Sequence, residues 1–306
     1  MAGRRLVAAT RGSTLARWQT ERVAALLRAA DPEVEVEALV VETEGDRRAD
    51  VPIEAIGGRG VFAKEVQSAV LEGRADFAVH SAKDLPSAPE LQPEGLVLAC
   101  VPERADPRDA LVGSRLADLP RGAVVATGSV RRRAQLAHAR PDLVFAGLRG
   151  NIETRLAKAP QFGAIVMAYA ALVRLGREDA VAEVLDPSVV LPQVAQGALA
   201  VECRADDDDT RTRLAAIEDR SSRRRVDAER AWLAGLGGGC DLPVGALATE
   251  VAAGGDLRLD ALIASLDGAT VVRDTAIGSD PVALGARLAT VLLDERGARA
   301  LLAPRP

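Results

Sequence analysis

Short apolar runs alternate with amphipathic segments along the first part of the chain. Residues 6–9 form an apolar run that predicts a buried strand, and residues 14–30 repeat apolar positions at the helical period. Further apolar runs predict strands at 34–41 and 77–79, with an amphipathic helix at 61–71 between them. Alternating strands and helices are typical of a mostly parallel α/β sheet, which binds ligands beyond the carboxyl ends of its strands.

The same alternation restarts after Pro102. It predicts strands at 123–126, 143–145 and 164–167, and helices at 130–139 and 152–159. Two similar α/β units in series indicate two lobes, and we expect a cleft between them.

The last third of the chain has a different pattern. A strand is predicted at 198–202, and the acidic run at 206–209 is interpreted as the solvated start of a helix rather than as a metal site. The remaining predicted elements are a helix at 222–236, strands at 244–251, 257–266 and 270–275, and a closing helix at 281–302. They predict a separate α+β domain.

The composition is that of an ordinary soluble globular protein. Of the 306 residues, 48% are hydrophobic and 27% are charged, and the length suggests two or three domains. The longest apolar stretch, residues 163–173, is shorter than the ~18 residues that span a bilayer. The apolar run near the start is too short for a secretory signal. We therefore expect a cytoplasmic protein without a membrane partner.

Charge and cysteine content argue against several other functions. A net charge of −5 and an aromatic content of 2% argue against nucleic-acid binding. Three distant cysteines argue against a disulfide framework, and with two histidines and no Cys-x-x-Cys motif we expect no metal site. Only three of the 39 basic residues are lysine, so the positions of the arginines carry more information than their number.

The glycine-rich run GGGCDLPVG at 237–245 carries Cys240. Three glycines and a proline prevent regular structure, so the thiol lies on a loop and is available for covalent chemistry. The loop alone leaves open the alternative that Cys240 is a small apolar residue packed in a turn.

The motif HSAKDLP at 80–86 follows a predicted strand, where the active-site residues of such sheets collect. Two interpretations of the adjacent Lys83 and Asp84 are open. They form either a surface ion pair, which would contribute little, or a site in which the Asp84 carboxylate acts on protons.

Arginines cluster at the starts of predicted helices. Arg11 precedes the candidate N-cap Ser13, and Arg131 and Arg132 follow the TGS run at 127–129. The N-terminus of a helix carries a partial positive charge, so cationic side chains there are unfavourable. An anionic ligand, bound by arginine forks and backbone N–H groups, would explain their presence.

These motifs resemble those of the porphobilinogen deaminase family, also called hydroxymethylbilane synthases. The similarity runs from residue 6 to about residue 245 and more loosely to the end of the chain. It is carried by ATRGS (9–13), TEGD (43–46), GGRGVF (57–62), ADFAVHSAKDLP (75–86), RADPRDA (104–110), GSVRR (128–132), LRGN (148–151), RLG (174–176), QGA (196–198), AERA (228–231) and the Cys240 loop.

The resemblance implies a transferase of tetrapyrrole (haem) biosynthesis. Members of this family condense four porphobilinogen molecules head to tail with release of ammonia, and then release hydroxymethylbilane by hydrolysis. They carry a dipyrromethane cofactor that is bound through a thioether to the cysteine matching Cys240. The family's catalytic aspartate, which stabilises the cationic azafulvene formed when ammonia leaves, matches Asp84.

The resemblance also assigns the residues that hold the acetate and propionate groups. It implies cofactor contacts at Lys83, Ser81, Thr127, Ser129, Arg131 and Arg132. It implies contacts with the substrate or the mobile cleft loop at Arg11, Ser13, Gln19, Phe62, Arg149, Arg155 and Arg174. An arginine-lined cleft suits this substrate, because each pyrrole brings two carboxylates and arginine binds carboxylates bidentately.

The resemblance further implies two lobes of the periplasmic-binding-protein type, with a third domain that presents Cys240 to the cleft. We expect a first lobe at 1–100 with 196–218, a second lobe at 101–195, and a smaller C-terminal α+β domain at 219–306, in a monomer. The chain departs from the family pattern at Ala55, Gly163, Ala171, Gln193 and Ala195. These departures bear on the cleft loop and the geometry between the lobes, and not on the reaction.

The alternative function is a two-lobed binding or effector-sensing protein for a small anion. The fold alone leaves this open, because it serves binding as often as catalysis. A protein that only binds a ligand would not need a loop cysteine in a third domain.

Overall fold

The computed structural model describes residues 4–44, 63–237, 242–251 and 255–302. Over these ranges the chain forms three β-sheets and divides into two compact units. The first unit holds residues 1–105 and 198–223, and the second holds residues 106–197 and 224–306. The finer division into three domains stays a prediction.

The described strands are β1 (Arg4–Arg11), β2 (Val34–Val41), β3 (Phe77–Ser81), β4 (Leu96–Cys100), β5 (Asp109–Val112), β6 (Val124–Ala126), β7 (Val144–Ala146), β8 (Ala164–Ala168), β9 (Val181–Val184), β10 (Leu199–Arg204), β11 (Val244–Glu250), β12 (Leu257–Ala264) and β13 (Val271–Gly278). The described α-helices are α1 (Thr14–Ala30), α2 (Lys64–Leu71), α3 (Val130–Ala139), α4 (Ile152–Lys158), α5 (Tyr169–Arg174), α6 (Asp208–Ala215), α7 (Arg220–Gly235), α8 (Pro281–Thr290) and α9 (Arg299–Leu302).

Two five-stranded sheets, one in each unit, share a single pattern. The strand order is β2-β1-β3-β10-β4 in the first unit and β7-β6-β8-β5-β9 in the second. In each sheet the first three strands are parallel, and the fourth runs antiparallel to both of its neighbours. The repeated pattern confirms the predicted α/β class with two lobes of the periplasmic-binding-protein type.

Each of these sheets is covered by helices whose apolar positions recur at the helical period. In the first unit, Val23 and Leu27 of α1 pack against Leu6 and Phe77 of the sheet. All four side chains are at most 2% exposed, and burying one such side chain contributes about 1.5–3 kcal/mol. The apolar spacing of residues 14–30 therefore forms the helix and fixes the face that it buries.

The C-terminal part of the second unit is a small α+β arrangement. Strands β11, β12 and β13 form an antiparallel sheet in that order, and α8 contacts β12 and β13. The smaller α+β part expected from the sequence is confirmed. The acidic run at 206–209 also behaves as expected, because the Asp207 side chain accepts a hydrogen bond from the backbone of Thr210 at the start of α6.

The prediction of one continuous closing helix at 281–302 is wrong. Helix α8 ends at Thr290 and is followed by a five-residue π-helical segment, Val291–Glu295. Gly297 then takes a left-handed backbone with a φ of 69° before α9 begins. Glycine adopts this conformation without a steric penalty, so the chain changes direction here and a separate short helix follows.

Among the described residues, no helix has the length and apolar character needed to cross a bilayer.

Candidate active site

The order of the strands in the first unit marks one edge of its sheet. In the sheet, β1 lies between β2 and β3. The chain goes from β1 to β2 on one side and then crosses to β3 on the other, so the order of the strands reverses between β1 and β3. Ligands of such sheets bind outside the carboxyl ends of the strands at this point. Arg11 is the last residue of β1 and Ser81 is the last residue of β3, so both predicted site residues lie at this edge.

Three predicted residues of this edge are held by specific hydrogen bonds. The Ser13 side chain caps α1 by accepting from the backbone N–H of Ala16 at 3.3 Å. Gln19, which is buried, donates from Nε2 to Ser81 Oγ at 2.8 Å. The structure therefore brings Gln19 and Ser81 into direct contact, although they are 62 residues apart in the sequence.

Asp84 lies just beyond β3 in a short 3-10 helix, Ala82–Asp84, and is half-buried. Its carboxylate makes no hydrogen bond or ion pair with any other residue that the structure describes, whereas Lys83 does have a partner. The interpretation of Lys83 and Asp84 as a surface ion pair is therefore wrong for this structure. A half-buried carboxylate without a partner is available to a ligand.

A buried polar network lies directly behind this segment, and the sequence analysis missed it. His80 Nε2 is 3.1 Å from Glu202 Oε2, and Gln67 Nε2 donates to the same oxygen at 2.8 Å. Residue 80 pairs with Ala200 across β3 and β10, which brings Glu202 close. Only the return of the chain to the first sheet creates this contact, so local sequence patterns gave no signal for it.

The second unit repeats the arrangement at its own switch point, between β6 and β8. The turn after β6 carries the predicted residues Thr127 and Ser129. Thr127 Oγ1 accepts from the backbone N–H of Ser129 at 3.2 Å, and Ser129 Oγ accepts from that of Arg132 at 3.4 Å. Between them, Gly128 lies close to the turn after β7, where an added Cβ would be 2.8 Å from the Leu148 carbonyl oxygen.

Arg131 and Arg132, in the first turn of α3, converge on the buried carboxylate of Asp109 at the start of β5. Arg132 donates to Asp109 Oδ1 from Nε at 3.0 Å and from Nη2 at 2.7 Å, and Arg131 Nη1 lies 2.7 Å from Asp109 Oδ2. Burial would raise the pKa of Asp109, but the two guanidiniums outweigh it and hold that pKa well below its usual range.

Asp109 and its neighbour Gln196 are functional candidates that the residue-level analysis passed over. Gln196 Nε2 donates to Asp109 Oδ1 at 2.8 Å and to the Pro107 carbonyl oxygen at 2.7 Å. Both residues lie in motifs that carried the family resemblance, RADPRDA and QGA. That was the signal that could have identified them.

The remaining predicted arginines of the second unit lie in the segments that follow β7 and β8. Asn151 caps α4 by accepting from the Thr154 backbone at 2.8 Å, and Arg155 Nε donates to the Gly150 carbonyl oxygen at 2.7 Å. Arg149 immediately precedes this turn and is half-buried. Arg174, at the end of α5, donates to the Gly197 carbonyl oxygen at 2.7 Å, and burial lowers its pKa to about 10, which leaves it charged at neutral pH.

The described site residues thus fall into two groups, one in each unit. The first unit places Arg11, Ser13, Gln19, Ser81, Lys83 and Asp84. The second places Thr127, Ser129, Arg131, Arg132, Arg149, Arg155 and Arg174. Cys240 and Phe62 lie outside the described residues, as does the departure at Ala55.

Comparison with known proteins identifies the family. Residues 6–212 match the profile described as "Porphobilinogen deaminase, dipyromethane cofactor binding domain", and residues 223–294 match "Porphobilinogen deaminase, C-terminal domain". The chain belongs to the porphobilinogen deaminase family. The enzymes of this family are transferases with a dipyrromethane cofactor, so the small-anion-binding alternative is set aside.

Relatives in the porphobilinogen deaminase family match nearly the whole chain. The porphobilinogen deaminase of Nitratidesulfovibrio vulgaris (strain DSM 19637 / Miyazaki F) is 49% identical over 280 residues, which cover 90% of this chain and 87% of the relative. That of Roseiflexus sp. (strain RS-1) is 48% identical over 305 residues, which cover 97% and 98%. Among solved structures, the Bordetella pertussis BvgS periplasmic VFT2 domain is 16% identical, with a TM-score of 0.41 over 74% of this chain and 92% of that chain.

Proposed function

We propose that Asp84 is the catalytic carboxylate of a hydroxymethylbilane synthase reaction in this chain. The reaction is the stepwise head-to-tail condensation of four porphobilinogen molecules with release of ammonia, followed by hydrolysis that frees hydroxymethylbilane. One observation carries the assignment to Asp84: its half-buried carboxylate lies at the carboxyl edge of β3 and has no partner among the described residues.

The charge of Asp84 suits the step in which ammonia leaves the substrate. Loss of ammonia leaves a positive charge that is conjugated with the pyrrole nitrogen of porphobilinogen. A fixed carboxylate nearby stabilises that charge more strongly in a partly dehydrated site than in water. The same carboxylate accepts a hydrogen bond from the ring N–H and takes up or relays its proton later.

The residues of the second unit fit a ligand that carries several carboxylates. Arg131 Nε and Nη2 are buried and have no hydrogen-bond partner among the described residues, so the donor set is incomplete without an acceptor. When bound through a thioether to Cys240, the dipyrromethane supplies the primer that the substrate extends. We assign its carboxylates to Ser81, Lys83, Thr127, Ser129, Arg131 and Arg132.

The remaining cationic and polar residues are assigned to the incoming substrate. They are Arg11, Ser13, Gln19, Phe62, Arg149, Arg155 and Arg174. Arg149 and Arg155 flank the capped start of α4, where free backbone N–H groups add to the attraction of an anion. Ser13 holds the start of α1 in the corresponding position of the first unit.

Replacement of Asp84 by asparagine tests the catalytic assignment. Asp84→Asn keeps the shape of the side chain and removes its charge, so we expect turnover to fall by roughly 10²–10⁴ while the bound cofactor is retained. Glu90→Gln is the matched control, because Glu90 is an exposed carboxylate in the same unit, and it should leave turnover unchanged. Steady-state product formation decides the question, and a drop of less than about tenfold in Asp84→Asn would assign the role to another group.

We also propose that the enzyme works as a monomer in the cytoplasm. Cys100 and Cys203 are free and buried, as thiols are in a reducing compartment. Light scattering on a sizing column, which should give the mass of one chain, tests the oligomeric state.

A further inference from the structure

Two arginines and one aspartate form a buried cluster in the second unit whose charges do not balance. Asp109 is fully buried, and Arg131 and Arg132 are 3% and 6% exposed. The coulombic interactions of Asp109 and Arg131 are with the other members of this cluster. Because both guanidiniums stay protonated, one carboxylate faces two positive charges. A buried charge without a counter-ion is costly, so a second carboxylate at this cluster would balance its charge.

The two arginines share the carboxylate unequally. Arg132 forms a fork onto Asp109 Oδ1 with Nε and Nη2, and its Nη1 donates to the Val166 carbonyl oxygen at 3.1 Å. All three guanidinium nitrogens of Arg132 therefore donate to buried acceptors within the unit. Arg131 uses only Nη1, which lies near Asp109 Oδ2 and donates to the Leu191 carbonyl oxygen at 2.6 Å.

The contact between Arg131 and Asp109 is an ion pair without the alignment of a hydrogen bond. Asp109 Oδ2 has no hydrogen-bond donor in line with it among the described residues. Arg131 Nε and Nη2, which are donors, likewise have no acceptor among the described residues. The fork to Arg132 is thus the stronger partner of Asp109, and Arg131 keeps two adjacent donors in the geometry that a second carboxylate requires.

We propose that Asp109 is a positioning residue that engages Arg132 and so leaves Arg131 as the guanidinium for a carboxylate of the dipyrromethane. This inference rests on the proposed role of Arg131 in cofactor binding. It replaces the direct cofactor contact that was assigned to Arg132 above, because in this proposal Arg132 acts through Asp109. It also predicts that a second mutation rescues the first. Without Arg132, Asp109 competes with the cofactor carboxylate for Arg131, and removal of the Asp109 charge ends that competition.

The test compares the fraction of purified protein that carries covalent cofactor, measured by intact mass, in three variants. In Arg132→Gln a single guanidinium remains, so Asp109 captures Arg131 and we expect the loaded fraction to fall about tenfold, the scale of one charge-assisted hydrogen bond. In Asp109→Asn/Arg132→Gln the competing carboxylate is gone, and the loaded fraction should return to within about threefold of wild type. Arg131→Gln should be almost unloaded.

A matched pair of control variants is present at the other end of the same helix. Arg140 forms a fork onto Asp142 through Nε at 2.8 Å and Nη2 at 2.7 Å. Arg140→Gln and Asp142→Asn/Arg140→Gln should both stay fully loaded, because this fork lies away from the proposed cofactor donors. Thermal unfolding of every variant separates loss of loading from loss of folding. If the double variant does not fold, Asp109→Asn/Arg132→Met replaces it, with the same expectation.

Two outcomes overturn the inference, and they are distinguishable. If folded Asp109→Asn/Arg132→Gln is loaded no better than Arg132→Gln, Arg132 contacts the cofactor itself and Asp109 is only structural. If Arg131→Gln stays loaded, the proposed cofactor role of Arg131 fails, and the inference fails with it.

Discussion

At the scale of single residues, Cys100 and Cys203 are buried thiols whose surroundings keep them unreactive. Burial and the charge of Glu218 raise the pKa of the Cys100 thiol well above its usual range. Burial raises the pKa of the Cys203 thiol to about 11. At neutral pH both are protonated and shielded, so neither is a nucleophile. Cys100 ends β4 and Cys203 lies in β10, so both thiols are packed in strands of the first sheet.

The unreactive Cys100 and Cys203, together with the proposed thioether at Cys240, predict a selective labelling pattern. Iodoacetamide applied to the native protein should modify neither Cys100 nor Cys203, and it should modify Cys240 only after the cofactor has been removed. Peptide mapping by mass spectrometry measures the sites, and labelling of the denatured apo-protein, which should reach all three thiols, is the control. Equal labelling of Cys240 with and without cofactor would show that this thiol carries nothing.

At the scale of elements, the apolar and polar pattern predicted most strands and helices but not the contacts between them. The helix predicted at 130–139 forms over the same residues, because Ser129 caps it and the buried residues Arg132 and Leu136 are four positions apart, on one face. Strand β5 was missed, because its four residues are too few to show a period. The pairing of Asp109 with Arg131 and Arg132 depends on that strand and could not be found locally.

The turn after β6 gives a prediction at this scale. Gly128→Ala should reduce cofactor loading and cost about 1–3 kcal/mol of stability, because its Cβ would lie 2.8 Å from a backbone oxygen that cannot move aside easily. Gly147→Ala is the matched control in the next turn, since a Cβ there meets nothing within 4 Å. Denaturant unfolding and intact mass measure both effects. A Gly128→Ala protein as stable and as loaded as Gly147→Ala would show that the close approach of the two turns is not needed.

At the scale of the whole molecule, one sheet pattern occurs twice and places its polar residues at the equivalent edge each time. Arg11 ends β1 and Ser13 lies just beyond it, as Thr127 and Ser129 lie just beyond the equivalent strand β6. Alternation of strands and helices was enough to predict this class. It could not predict that β5 and β10 run antiparallel to their neighbours, since the direction of a strand depends on where the chain crosses between units.

The charge of the molecule also has to be considered as a whole. The net charge is −5, yet the site residues of the second unit include five arginines, Arg131, Arg132, Arg149, Arg155 and Arg174. Cations concentrated in one part of an acidic protein are suited to a polycarboxylate ligand. The sequence identified Arg131 and Arg132 by their position at a helix start, and the other three by the family resemblance. Only the structure showed that Arg131 has spare donors whereas Arg132 is engaged in the interior.

The central claim is that this chain builds hydroxymethylbilane on a dipyrromethane attached to Cys240, and intact mass of the purified protein tests it most directly. The wild-type protein should be heavier than its sequence by one dipyrromethane, with the adduct mapping to Cys240. Cys240→Ala should be folded, unmodified and inactive, while Cys203→Ala should keep the adduct. An unmodified wild-type protein, or a Cys240→Ala protein with wild-type product formation, would contradict the account.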